Sequence, residues 1–276
     1  MALHHPQFDP VIFSIGPVSA TWYGLMYVIG FLLGYWLGLY QAKTRPGLGW
    51  NAEQVGDLLT WLMIGTIVGG RLGYVLFYII GADGLAPIIA DPLLPFKITD
   101  GGMSFHGGLI GVTLACIGYA YCYHRHTLDI GDFIAPLVPF GLFFGRMGNF
   151  INGELWGRPT DLPWGMIFTT APDRLPRHPS QLYEAFWEGI VLLILLNWYA
   201  RKPRPRGRVT GLFLVGYALG RFLVEFVREK DAQMSYYLFH MTMGQMLTIP
   251  MAAIGIWLLV RPVKAASLPF VNKASV

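Results

Sequence analysis

An all-helical polytopic membrane protein, with about seven transmembrane helices, its N-terminus outside, its C-terminus inside and a small external head, is the fold this sequence predicts. Three observations predict it. Of 276 residues, 54% are hydrophobic and 13% charged, and the mean hydropathy is positive, a balance that suits lipid better than water. Apolar stretches of about 20 residues, the length that crosses a bilayer core, recur along the chain. Basic residues crowd alternate connections.

In chain order, spans are expected near residues 18–40, 55–80, 104–123, 130–151, 181–200, 209–228 and 241–260. The opening "MALHHPQFDPVIFSI" lacks the basic start and small-residue cleavage site of a signal peptide, so the first span reads as a retained anchor. Lys43 and Arg45 follow the first span and Arg125 the third. Five basic residues in "RKPRPRGR" (Arg201 to Arg208) follow the fifth, and Arg261 and Lys264 the seventh. All lie on one face, cytoplasmic by the positive-inside rule, which leaves stretches near 81–103, 152–180 and 229–240 outside. Topology thus accounts for the net charge of +4, and no nucleic-acid partner is expected.

The whole chain, 1–276, reads as one membrane-embedded domain without a soluble appendage or tandem repeat. Cys116 and Cys122 stand on different sides of the third span, separated by about 9 Å of helical rise, so neither a disulfide nor a metal site follows. Glycines at four-residue spacing (Gly30, Gly34 and Gly38; Gly216 and Gly220) predict close helix packing.

Charges inside spans are the informative exceptions. Arg71, Arg146 and Arg221 each lie in the outer half of a span, and at about 3 kcal/mol apiece their insertion costs of order 9 kcal/mol unless something compensates. One reading is ion pairing: Glu225, a turn beyond Arg221, can absorb that arginine. Arg71 and Arg146 are then left with few acidic partners, because Glu154, Glu184 and Glu188 cluster near the outer boundary. The other reading is that guanidiniums converge on an anion, and the commonest anion at that depth is a lipid phosphate, which a planar fork of donors grips in bidentate fashion.

Tyr217, Arg221, Glu225 and Arg228 recur at intervals of four, four and three, along one helical stripe. His106, in "GGMSFHGGLIG", is a structural histidine or a proton acceptor. Tyr23, in "ATWYGLMY", also fits an interfacial aromatic belt. "HRHTLD" places His124 four residues before Asp129, the spacing of an acyltransferase motif. It is expected in a cytoplasmic loop of about six residues and is read as an accidental match.

"GRMGNFINGELWG" (145–157) resembles the signature of the bacterial prolipoprotein diacylglyceryl transferases. "GGMSFHGGLIG", "RHPSQLYE" and "GLFLVGYALGRFLVEFVREKDAQ" resemble the family's other blocks in the same order, nearly end to end. The chain departs from it in a shorter stretch between Arg158 and Arg177 and in Lys230, where a proline is usual.

The resemblance implies an inner-membrane enzyme with a periplasmic active site. It would move the diacylglyceryl group of phosphatidylglycerol to the lipobox cysteine thiol of a prolipoprotein signal peptide, releasing glycerol phosphate, as the first step of lipoprotein maturation. No metal or organic cofactor is implied. Lipid binding is assigned to Arg146, and importance carries over to Tyr23, His106, Asn149, Glu154, Gly157, Tyr217, Arg221 and Glu225.

In that chemistry Arg146 and Arg221 are expected to clamp the phosphate, with Asn149 and Asn152 as further donors and Glu154 orienting an arginine. Gly148, Gly153 and Gly157 are expected to let the chain turn tightly as the helix ends. His106 is the expected base, with Tyr23 or Tyr217 as alternates. Two other classes compete on residue chemistry alone. A solute transporter would favour inverted repeats, which are not evident, and an intramembrane protease lacks its Gly-x-Ser-x-Gly context here.

Overall fold

The computed structural model describes residues 3–16, 18–97, 101–229 and 241–262. Lys230, Lys264, the "DAQ" block, nearly all of the 229–240 stretch and part of 81–103 lie outside the described residues. The chain forms two compact units, one of Met1–Tyr40 with Asp132–Val276 and the other of Gln41–Gly131.

The first unit opens with β1 (Leu3–His4), a hairpin of β2 (Val11–Ile15) and β3 (Val18–Thr21), and α1 (Trp22–Thr44), whose last residues pass into the second unit. The hairpin corrects the expected start of the first span. Gly16 takes the left-handed backbone a tight turn needs (φ 59°), Ser14 and Ser19 join hydroxyls at 2.8 Å, and β3 pairs with β2 before the helix begins at Trp22.

The second unit is a helix pair. α2 (Ala52–Tyr74) starts in an Asn51/Gln54 capping box and continues through a π-helical segment (Val75–Ile80), while α3 (Phe105–Cys122) starts at Ser104, whose hydroxyl accepts the Gly107 N–H. A Cβ on Gly111 would stand 2.0 Å from the Gly65 carbonyl, and one on Gly69 2.5 Å from that of Gly107. Neither position tolerates a side chain, because backbone meets backbone along this seam. The glycine series singled out in the sequence do pack: Gly30 faces Gly141, and Gly216 receives Leu192.

Arg71 sits in this second unit with every edge of its guanidinium occupied. It donates to the carbonyls of Leu94 (2.5 Å), Pro95 (3.0 Å), Gly101 (2.6 Å) and Gly102 (3.1 Å). Both cysteines are free thiols.

α4 (Thr127–Ile134) contains Asp129, so "HRHTLD" is a turn running into a helix rather than a six-residue loop. α5 (Val138–Ile151) follows at a bend of 53°. The expected single span at 130–151 is therefore broken. Pro136 and Pro139 explain it, because proline lacks an N–H and its ring clashes with the carbonyl four residues back.

In the first unit β4 (Met166–Ile167) lies between β1 and β5 (Pro176–Arg177) in a small head sheet. Then come α6 (Ser180–Glu184), a π-helical segment (Ala185–Val191), α7 (Leu192–Tyr199), α8 (Arg208–Val224) and α9 (Met243–Val260). α8 and α9 pack where Gly211 and Gly255 meet.

The protein is thus mostly helical among the described residues, with two small sheets. Among the described residues four helices are long and apolar enough to cross a membrane, α1, Ala52–Asp83, α3 and α9, or five if the bent α4 and α5 count as one span.

Candidate active site

Small residues draw four elements of the first unit together. Gly148 on α5 lies under the Tyr23 ring of α1, where a Cβ would come within 2.8 Å; Gly189 of the π-helical segment receives Phe143 of α5. Gly220 of α8 leaves room for the Trp187 indole, whose N–H donates to the Gly216 carbonyl at 2.9 Å. Into this junction project Arg146 from α5, Glu184 from α6, Glu188 from the π-helical segment, and Tyr217 and Arg221 from α8. Glu225 and Arg228 follow just past its end.

Glu184 is the hub. One of its oxygens lies 2.5 Å from Nε of Arg146, and the other 2.6 Å from Nη1 of Arg221 and 3.6 Å from Nη1 of Arg228. Glu225 holds Nη2 of Arg221 at 2.9 Å, and Glu188 stands 3.8 Å from Nη2 of Arg146. The side chains of Arg146 and Arg221 remain only 18% and 14% exposed, so these pairs work in a poorly screened environment. Three guanidiniums face three carboxylates, and the insertion penalty is offset internally.

This corrects the expectation that Arg146 is left with few acidic partners. Glu184 and Glu188 are the only charged residues between 180 and 199, so the signal that exposes the arginines also marks them. Their pairing with α5 and α8 is not legible in the sequence. Arg71 is likewise resolved: with four carbonyl acceptors it pins the chain that follows α2.

A second layer aligns the first. Glu154 accepts from the side-chain amides of Asn149 (2.8 Å) and Asn152 (3.3 Å). It therefore orients the asparagines rather than an arginine. Gln181 donates to the Glu154 carbonyl at 2.6 Å and Ser180 to that of Leu155 at 2.9 Å, tying the start of α6 to the end of α5.

Gly153 (φ 65°) makes the expected left-handed turn, and Leu155 (φ 58°) adopts the same region against its preference. Gly148 and Gly157 serve differently. Gly148 is helical, and Gly157 donates to the His178 carbonyl at 2.8 Å and bridges to Arg228, where a Cβ would fall 2.5 Å from the Val227 carbonyl. Close approach, rather than a turn, requires glycine at both.

The head clamps the chain beyond α8. Arg158 donates from its backbone to Val227 (2.8 Å) and from Nε to the Arg228 carbonyl (3.0 Å). Arg177 lies over the Trp156 ring at 4.2 Å, donates to the Gly157 carbonyl at 3.1 Å, and pairs with Asp173 (2.5 Å) and Glu229 (2.7 Å). The hydrogen bond from Arg177 holds the Asp173 carboxyl below its usual range, and burial lowers the His178 imidazole.

Tyr23 places its hydroxyl 3.1 Å from that of Tyr27 and interacts with Asn149. Tyr217 faces Glu188, Arg146, Arg221 and Glu184. The structure thereby gathers Tyr23, Arg146, Asn149, Asn152, Glu154, Gly157, Tyr217, Arg221 and Glu225 in one unit. His106 belongs to the other, in the first turn of α3, exposed and edge-on to Phe105.

What this arrangement offers chemically is a set of converging, mostly buried guanidinium N–H donors, suited to an oxyanion.

A model of the prolipoprotein diacylglyceryl transferase family matches residues 10–261. The chain is 55% identical over 258 residues to a phosphatidylglycerol–prolipoprotein diacylglyceryl transferase of Vibrio campbellii, covering 94% of this chain and 92% of that one. It is 53% identical over 270 residues to a protein of the same name from Nitratidesulfovibrio vulgaris, covering 97% and 98%. A third, from Pseudoalteromonas translucida, is 51% identical over 267 residues, covering 97% of each. A family match of this extent, carried by relatives aligned over almost their whole length, establishes that the chain belongs to the prolipoprotein diacylglyceryl transferase family.

Proposed function

We propose that this protein transfers the diacylglyceryl group of phosphatidylglycerol to the lipobox cysteine thiol of prolipoproteins, the first step of lipoprotein maturation, at the Arg146/Arg221 cluster. The observation that carries the site assignment is that these two arginines, from separate helices, grip opposite oxygens of one buried carboxylate, Glu184. A phosphate offers the same pair of oxygens.

In this reading the thiolate attacks the glyceryl carbon and the C–O bond breaks, its electron pair passing to the phosphate oxygen. A phosphodiester with one negative charge becomes a more highly charged monoester. Arg146 and Arg221 stabilise that growing charge, and donors held before the reaction lower the barrier because no reorganisation is needed. Asn149 and Asn152 each use an amide N–H on Glu154; Asn152 retains another for the headgroup, while Asn149 also interacts with Tyr23. Glu225 fixes Arg221, and Gly157 lets the head close on the end of α8. His106 takes the thiol proton, with Tyr23 and Tyr217 as alternates, and no metal or organic cofactor is required.

We place both units in one transferase domain of the inner membrane, with seven spans, the N-terminus and the site toward the periplasm, and the C-terminus in the cytoplasm. Supporting the count, Ser180–Glu184, Ala185–Val191 and Leu192–Tyr199 follow one another as continuous helix, and α8 has 17 residues. The basic residues at alternate connections support the orientation.

Purified protein, phosphatidylglycerol vesicles and a lipobox peptide test the activity. Glycerol phosphate release is expected with a cysteine peptide and not with its serine counterpart; release that ignores the cysteine rejects the reading. Near-normal turnover of His106→Gln at all pH values would remove His106 as the base.

A further inference from the structure

Glu188 has a role that the ion pairs around it do not explain. Both of its oxygens are buried and accept no hydrogen bond among the described residues. The guanidinium it faces, Arg146, stands at 3.8 Å, beyond hydrogen-bond range. Glu184, one turn earlier on the same helical face, sets a like charge beside it. The segment is pinned on both sides, through Trp187 to α8 and Gly189 to α5, so Glu188 has little freedom to turn away. The charged and titratable groups facing it are Arg146 of α5, Glu184 on its own helix, and Arg221, Arg228 and Tyr217 of α8 and the turn after it.

The charges of this cluster balance. Arg146, Arg221 and Arg228 oppose Glu184, Glu188 and Glu225, three against three. An entering phosphodiester adds a negative charge with no counterpart, and a buried unpaired charge is costly enough that a group nearby changes protonation instead. Glu184 is held by two guanidiniums at 2.5 and 2.6 Å. Glu188, with no hydrogen bond, has the least-supported negative charge.

We propose that Glu188 takes up one proton as a phosphate headgroup enters the arginine cluster and gives it back to water as the product leaves. Glu188 is thus a positioning residue: by giving up its charge it lets Arg146 face the phosphate without a second competing carboxylate 3.8 Å away. Only an O–H bond is made and broken. The inference rests on the headgroup assignment above.

Titration calorimetry of the full-length protein in detergent with dioctanoyl phosphatidylglycerol, in two buffers of different ionisation enthalpy, reads the proton directly. Uptake approaching one proton per lipid is expected where Glu188 is ionised in the free protein, with Kd weakening by up to about tenfold per pH unit there. In Glu188→Gln the heat becomes independent of buffer, and Kd tightens at high pH and loses its pH dependence. Infrared difference spectra of wild-type protein carrying isotope-labelled glutamate need no variant, and a protonated-carboxyl band is expected to appear on lipid binding. Binding without proton uptake, or uptake that survives in Glu188→Gln, overturns the inference. No binding at all removes the headgroup site itself.

Discussion

Arg71 and Arg146 are both arginines set in apolar helices, and burial of each guanidinium has to be offset, yet the two units do so in opposite ways. In the α2/α3 unit Arg71 meets four backbone carbonyls and, among the described residues, no carboxylate. In the unit of α5 and α8 Arg146 meets Glu184 and Glu188. Carbonyls belong to the chain and cannot leave without unfolding it, so Arg71 is committed to structure. Carboxylates can be exchanged for a phosphate of like charge, so Arg146 stays available. Buried arginine by itself therefore does not mark a site, and the chemistry of its partners decides.

The sharpest way to break this comparison is to remove each guanidinium. Arg146→Ala is expected to lower turnover by at least about a hundredfold, the scale of losing one preorganised oxyanion donor, and Arg146→Lys to recover little because lysine lacks the planar fork. An active Arg146→Ala enzyme would remove it from the mechanism. Arg71→Ala should instead lower thermal stability by about 2–4 kcal/mol, as buried carbonyls lose their donors, with turnover per folded molecule within a few-fold of wild type. A loss of turnover without a loss of stability would erase the distinction.

The glycine seam gives a smaller contrast. Gly111→Ala puts a Cβ 2.0 Å from the Gly65 carbonyl, backbone against backbone. Overpacking of this kind costs about 1–3 kcal/mol and shows as a lowered unfolding midpoint. Gly216→Ala meets only the flexible end of Leu192 and should cost less.

The smallest effect lies in the head. Asp173 is held below its ordinary range by Arg177, so its stabilisation is present above the unfolded carboxyl value of about 3.9 and lost as pH falls through the lower folded value. The gap in unfolding midpoint between wild type and Asp173→Asn should therefore be open at neutral pH and close in acid. A gap that persisted there would assign it to packing instead.

The buried arginines are legible in the sequence because a charge interrupts an apolar run wherever it falls. Glu184 and Glu188 carry the same mark, but their role depends on distances: Glu184 meets an arginine 38 positions before it and another 37 positions after it, and no local pattern links such residues. Pro136 and Pro139 are visible as residues, yet composition alone merges α4 and α5 into one span. Glu154 looks like a partner for arginine because charge complementarity suggests it. The turn at Gly153 and Leu155 delivers it to asparagines instead.

Solvent preference, helix length and the presence of intramembrane charge belong to the sequence, since each depends on side chains summed over neighbours along the chain. Who partners whom belongs to the tertiary structure. Whether a buried guanidinium ends on a carbonyl or a carboxylate turns on contacts of 2.5–3.8 Å between residues distant in the chain, where glycines allow backbones to close and the local dielectric magnifies each choice.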